Sequence, residues 1–119
     1  MDVVRAIKKM YAQGDGHVHV LAASIREIEH LLDAFSLSSE LVTVPAKVLE
    51  QWSASDYPLP DQGFQYQAID SAGKPLRPIP YKELDLNAPW EGFDIRHDLT
   101  KKGIENFVKD YKSTLAPAA

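Results

Sequence analysis

The sequence predicts an α/β fold built around one parallel βαβ unit. Two short apolar runs, Val18 to Ala23 and Leu41 to Val44, are nearly continuous, as expected of strands buried on both faces of a parallel sheet. The stretch between them carries Ile28, Leu31, Leu32 and Phe35 at helical spacing. Strand, amphipathic helix, strand reads as a right-handed crossover, the building block of doubly wound sheets and of (β/α)8 barrels.

Each element follows in order. Asp2 to Gln13 places Val3, Val4, Ile7, Met10 and Tyr11 on one helical face, with Arg5, Lys8 and Lys9 between them, and the turn residues Gly14, Asp15 and Gly16 end it. The strand Val18 to Ala23 comes next. Ser24 is a candidate N-cap for the second helix, which Ser36 to Glu40 breaks. After the strand Leu41 to Val44, Pro45 suits the first turn of a third helix, which Val48, Leu49 and Trp52 would bury.

From Ser53 to Asp98 the character changes. Six of the eight prolines lie here, with aromatic residues at Tyr57, Phe64, Tyr66, Tyr81, Trp90 and Phe93. A flexible linker is poor in such residues, so this segment reads as an ordered excursion anchored on a surface by its rings. Phe64 to Ile69 suits a short extended piece, and Ser71-Ala72-Gly73-Lys74 is a turn signal. Thr100 then suits an N-cap, and a final helix from Lys101 to Leu115 would bury Ile104, Phe107, Val108, Tyr111 and Leu115. Ala116 to Ala119 should fray. The 119 residues thus make a single partial domain: 1–52 alternating helices and strands, 53–98 excursion, 99–115 terminal helix.

Composition narrows the function. Hydrophobic residues at 45% and charged residues at 25% are ordinary for a soluble globular chain. The net charge of −4 is interleaved along the sequence, with no basic tract for nucleic acid or an anionic membrane. Cysteine is absent, which removes disulfides, thiolate metal sites and a cysteine nucleophile. The N-terminus lacks the apolar core of a secretory signal, and no run is long enough to span a bilayer. The default location is the cytoplasm.

The stretch Val20-Leu21-Ala22-Ala23-Ser24-Ile25-Arg26 is the most informative. Ser24 and Arg26 leave the C-terminal end of a buried parallel strand, the edge where α/β sheets bind ligands. A helix N-terminus there offers free N–H groups, Ser24 a hydroxyl and Arg26 a planar guanidinium suited to phosphate oxygens. The same residues also suit a plain helix cap and a solvated first-turn cation. Elsewhere, His17 and His19 share one strand face, but no Asp, Glu or Cys nearby completes a metal site. Arg96-His97-Asp98 is better explained by a helix start, with Asp98 near the helix dipole, than by acid–base chemistry. Thr43 alternates with Val42 and Val44 and suits either packing or a substrate contact.

Three pieces in this order resemble the end of the transaldolase family, including its smaller fructose-6-phosphate-aldolase-like members. They are Val20 to Arg26, then Val42-Thr43-Val44-Pro45 with Val48-Leu49, then Leu99 to Phe107 with Asp110 and Tyr111. The helix Asp2 to Tyr11 resembles the one before the seventh barrel strand. The resemblance implies the C-terminal portion of a TIM (β/α)8 barrel, with the two strands as the seventh and eighth. It implies sugar-phosphate metabolism of the pentose phosphate type, aldol transfer through a lysine imine, and neither metal nor organic cofactor. It places Ser24 on the family's phosphate-binding serine and Arg26 where many members carry arginine or lysine.

The departures are informative too. The family's imine-forming lysine stands on the fourth strand, which this stretch does not include, and none of the nine lysines here falls in a buried strand. Ser36 to Glu40 stands where glycine-containing turns are usual, and compact members lack the long excursion. A chain of this kind would contribute one wall of the site and be inactive in isolation. The other reading is a truncated, non-catalytic paralogue serving as a phosphate-binding or interaction module. The partner that the resemblance implies is a sugar phosphate. An open pair of strands is expected to self-associate or to accept a complementary barrel fragment.

Overall fold

A computed structural model of the chain describes residues 1–14, 16–70 and 72–115. Asp15, Ser71 and the expected fraying of Ala116 to Ala119 lie outside the described residues. Two compact units emerge, Met1–Glu83 and Leu84–Ala119.

In the first unit the order is α1 (Asp2–Tyr11), β1 (Leu21–Ala22), α2 (Ile28–Ser36), β2 (Leu41–Val42) and α3 (Ala46–Ala54). The strands pair in parallel, Leu21 opposite Leu41 and Ala22 opposite Val42. The Leu41 N–H donates to the Val20 carbonyl at 3.2 Å and the Thr43 N–H to the Ala22 carbonyl at 2.9 Å. Each strand is two residues long, shorter than the apolar runs suggest. With one partner apiece, the ladder has nothing to extend it.

The expectation of strands buried on both faces is corrected. Val20 and Ala22 are 6% and 0% exposed, whereas Leu21 and Leu41 on the other face are 49% and 50% exposed. The helices cover one side and no strand opposes the other among the described residues. The core beneath the covered face is Ala22, Ile25, Leu31, Ala34 and Val48, flanked by Met1, Val4, Phe35, Val42, Val44 and Trp52. Leu49, expected inside, is exposed. Asp33 is buried on the inner side of α2, and both its oxygens accept from Arg5 Nη2 of α1, at 3.3 and 3.4 Å. A buried carboxylate needs such a partner to offset its lost hydration.

Within this unit, the excursion up to Tyr81 runs back over α1 and α2. Trp52 stacks edge-on with Tyr57 and donates its indole N–H to the Pro58 carbonyl at 2.8 Å. Farther on, an isolated bridge joins Ile69 to Pro75, and Asp70 Oδ1 accepts the N–H groups of Ala72 and Lys74 at 2.9 Å each. Gly73, at φ 77°, makes the reversal that other residues resist. The segment returning from this turn is tied to α1: the Ile79 N–H donates to Asp2 Oδ2 at 2.7 Å, and Lys9 Nζ lies 4.3 Å from the Tyr81 ring centroid.

The second unit holds a 3-10 turn, Trp90–Gly92, and α4, Asp98–Thr114. The cap of α4 is His97, whose Nδ1 accepts the Leu99 N–H at 3.2 Å, and not Thr100, which lies inside the helix. The expected burial of Ile104, Phe107, Val108, Tyr111 and Leu115 is also corrected, since α4 buries no residue. Among the described residues its unit contains no second layer to receive that face.

Candidate functional site

Parallel pairing puts the C-terminal ends of β1 and β2 on one edge. The loop 23–27 leaves β1 there, and Thr43-Val44-Pro45 leaves β2. Ile25 anchors the first loop in the core at 1% exposure, so its neighbours Ser24 and Arg26 are turned outward. Ser24 adopts φ 60°, a left-handed conformation that costs an L-residue roughly 1–2 kcal/mol. Strain of this kind persists only where the surroundings enforce it.

Ser24 sits between two hollows. One, of about 240 Å³, is lined by Ser24, Ile25, Thr43, Val44 and Pro45. The other, about 380 Å³, brings Ser24 and Ala23 together with His30 and with Ala68, Leu76 and Arg77 of the excursion. Thr43 thus shares a wall with Ser24. Arg26 lines neither hollow, and its guanidinium makes no ion pair with another described residue. A larger cavity, about 520 Å³, lies behind α1 among Arg5, Asp33, Tyr66 and Tyr81 and does not include the loop.

Ser24 does not cap α2. The cap is Glu27, at φ −148° with no side-chain cap bond, and Glu29 stands in the first turn. Two carboxylates therefore already occupy the positive end of this helix, a favourable place for them. Any anion held here must be held by the loop 23–27 rather than by the helix terminus.

Two residues that sequence reasoning missed organise this loop. His30 Nδ1 accepts the Arg26 N–H at 3.3 Å, and His30 Nε2 lies 2.7 Å from the Tyr66 hydroxyl and 3.2 Å from Glu27 Oε1. The rings of His30 and Tyr66 meet edge to face at 5.1 Å. Burial, followed by the charges of Glu27 and Asp33, pushes the Tyr66 phenol above its ordinary pKa, so it keeps its proton. The i, i+3 and i, i+4 spacing of His30 from Glu27 and Arg26 was readable. The contact with Tyr66, 36 residues away, was not.

The remaining candidates separate. None of the nine lysines is buried. Lys8 is paired with Glu40, and that hydrogen bond, with another from the Val20 N–H, holds the Glu40 carboxyl down at about 2. Arg96 turns to Asp94 at 2.9 Å while His97 caps α4 and Asp98 sits in its first turn, so this trio serves a helix start. Among the described residues no group of three or more His, Cys, Asp or Glu is placed to hold a metal, His17 and His19 included. Among them, too, no helix is long and apolar enough to cross a membrane.

Comparison with known proteins finds relatives by sequence. No protein-family model and no solved structure matches the chain. Curated relatives do match. A probable transaldolase of Coprothermobacter proteolyticus is 35% identical over 79 residues, covering 66% of this chain and 36% of the relative. Probable transaldolases of Roseiflexus sp. and Alkaliphilus metalliredigens are 40% and 39% identical over 65 and 64 residues, covering 55% and 54% of this chain and 29% of each relative. The chain thus spans about a third of the length of the relatives it matches. The chain, with its parallel strand pair, linking helix and polar loop at the C-terminal strand edge, is thus related to these probable transaldolases over roughly half to two thirds of its length.

Proposed function

We propose that these residues form one wall of a sugar-phosphate site in a transaldolase-type (β/α)8 barrel, with β1 and β2 as its seventh and eighth strands. The observation that carries the reading is Ser24, held in a strained backbone at the ligand edge of the sheet two residues from an arginine without an ion-pair partner among the described residues. The Ser24 hydroxyl donates to a phosphate oxygen, and the long Arg26 side chain closes over the same group with a charge-assisted pair of bonds. Thr43 supplies the facing rim. The setting is cytoplasmic carbohydrate metabolism of the pentose phosphate type.

The chemistry of such a site is transfer of a dihydroxyacetone unit through a lysine imine: the amine adds to the substrate carbonyl and water leaves. A lysine does this once desolvation lowers its pKa, and no lysine here is buried. We therefore place the imine-forming lysine outside these 119 residues. The open sheet face, with Leu21 and Leu41 half exposed, is the side a complementary barrel portion or a second copy would cover. The same open face and exposed lysines also favour a second reading, a non-catalytic paralogue that binds phosphate or a protein partner.

Borohydride reduction in the presence of fructose 6-phosphate tests the assignment. The expected result is no covalent adduct on this chain, with inorganic phosphate shifting the amide resonances of Ala23 to Glu27. An adduct mapped to any of its lysines would overturn the division of labour. If adding a complementary barrel portion produced no adduct anywhere, the non-catalytic reading would replace the first.

A further inference from the structure

We propose that the excursion acts as a latch on the anion-binding loop, with Tyr66 fixing the His30 ring so that His30 positions the Arg26 backbone. The proposal rests on the reading of loop 23–27 as a phosphate site and adds a positioning pair to it.

The hydrogen-bond pattern sets the state of the ring. Because His30 Nδ1 accepts the Arg26 N–H, the neutral imidazole carries its hydrogen on Nε2. That hydrogen faces the Tyr66 oxygen at 2.7 Å, with the Glu27 carboxylate 3.2 Å from the same nitrogen. The tautomer that serves Arg26 is thus the one that the Glu27 carboxylate selects, and the Tyr66 hydroxyl fits it as an acceptor. A histidine lacking those partners is free to turn its ring or exchange tautomers, and either change releases the Arg26 N–H.

Tyr66 is itself held in place. Its segment enters the turn closed by the Ile69–Pro75 bridge and returns to α1 through the Ile79–Asp2 bond and the contact of Lys9 with Tyr81. The Tyr66 ring also stands edge-on to the His30 ring, which limits rotation of both. The excursion up to Tyr81 therefore lies against two helices, and Tyr66 reaches the loop both through His30 of α2 and through Glu27 at the loop's end.

The loop has reason to need the latch. Ser24 sits at φ 60°, and without an enforcing contact a non-glycine residue leaves that region. Arg26 follows two residues later, and its pinned N–H fixes the C-terminal end of the loop while buried Ile25 fixes the middle. Holding the loop in shape before phosphate arrives removes an ordering cost from binding.

The test is an NMR titration of the full chain with inorganic phosphate, following the amides of residues 23–27. Tyr66→Phe keeps the ring and loses the hydroxyl. It should move the Arg26 amide without ligand and weaken phosphate binding about two- to tenfold, the span of one neutral hydrogen bond. His30→Ala should weaken it at least as much, and adding Tyr66→Phe to His30→Ala should weaken it no further. His30→Gln, which can accept at one end and donate at the other, should recover most of the affinity. Equal phosphate affinity in wild type, Tyr66→Phe and His30→Ala overturns the latch alone. Losses that track the melting temperature and are not recovered by glutamine overturn it as well. Wild-type loop amides that ignore phosphate sink the anion site, and the latch's purpose with it.

Discussion

At the N-terminal edge of the strand pair, Val20 donates its N–H to Glu40 at 2.9 Å and its carbonyl accepts from both Leu41 and Ser39. Ser39 also reaches the Leu41 carbonyl, and Lys8 closes over Glu40. At the C-terminal edge, one backbone bond, Thr43 N–H to the Ala22 carbonyl, is followed by a left-handed serine, an exposed threonine and an arginine without an ion-pair partner among the described residues. The two edges are about two residues apart in the same strands. One is closed by every group that can reach it, and the other holds its strain and its donors open. In α/β architectures the first end is where side chains secure the fold and the second is where ligands bind. The difference teaches that the strain at Ser24 is sustained by bonding made elsewhere: the clamp below, Ile25 within and His30 beside it.

Mutations that separate the two edges should therefore separate stability from binding. The largest effect belongs to the open edge. Arg26→Ala removes a charge-assisted donor worth about 1.5–3 kcal/mol, roughly a ten- to hundredfold loss of phosphate affinity. Because the guanidinium has no ion-pair partner among the described residues, the melting temperature should not move. A fall in melting temperature with unchanged phosphate titration would reverse the assignment of the two edges.

A smaller effect, with the opposite signature, belongs to the clamped edge. The Glu40 carboxyl is held at about 2, below its ordinary 4.5, chiefly by Lys8 and then by the Val20 N–H. The folded state thus favours the ionised form. Its stabilising contribution is complete above pH 4.5 and disappears as pH falls from there toward 2. Glu40→Gln should melt below wild type at pH 7, and the gap should narrow between pH 4.5 and 2. Phosphate affinity at pH 7 should be the same in both. A gap that stays constant with pH would remove Glu40 from the clamp.

The contrast also marks how far the sequence could be read. The 3.6-residue period of α2 identified Leu31, and the apolar run before it identified Val20 and Ala22. It could not identify Asp33, because a carboxylate becomes a core residue only when a cation such as Arg5, 28 positions earlier, arrives beside it. The loop 23–27 was placed at the ligand edge, yet the start of α2 was set three residues early, since a serine at a strand end suits a cap and a left-handed turn alike. His30 was visible as a helix residue, but its task depends on Tyr66 from the excursion. The pattern in α4 was genuine. Periodicity says which face of a helix is apolar and not whether anything in the unit will cover it.

The smallest effect should be a change of opposite sign in two measurements on one residue. Ser24 at φ 60° carries roughly 1–2 kcal/mol of left-handed strain, which glycine does not. Glycine gives back about 0.5–1 kcal/mol of that through the larger entropy of its unfolded chain. Ser24→Gly should therefore raise stability by roughly 0.5 kcal/mol while losing the hydroxyl and weakening phosphate binding about fivefold. Ser24→Ala loses the same hydroxyl and keeps the Cβ, so it should lose affinity equally and gain no stability. Urea melts and phosphate titrations of the three chains decide the point. If glycine and alanine melt alike, the serine backbone is not strained in solution, and the edge is open without being held under tension. If glycine is the more stable and the weaker binder, the C-terminal edge gives up stability for its ligand, as the clamped edge does not.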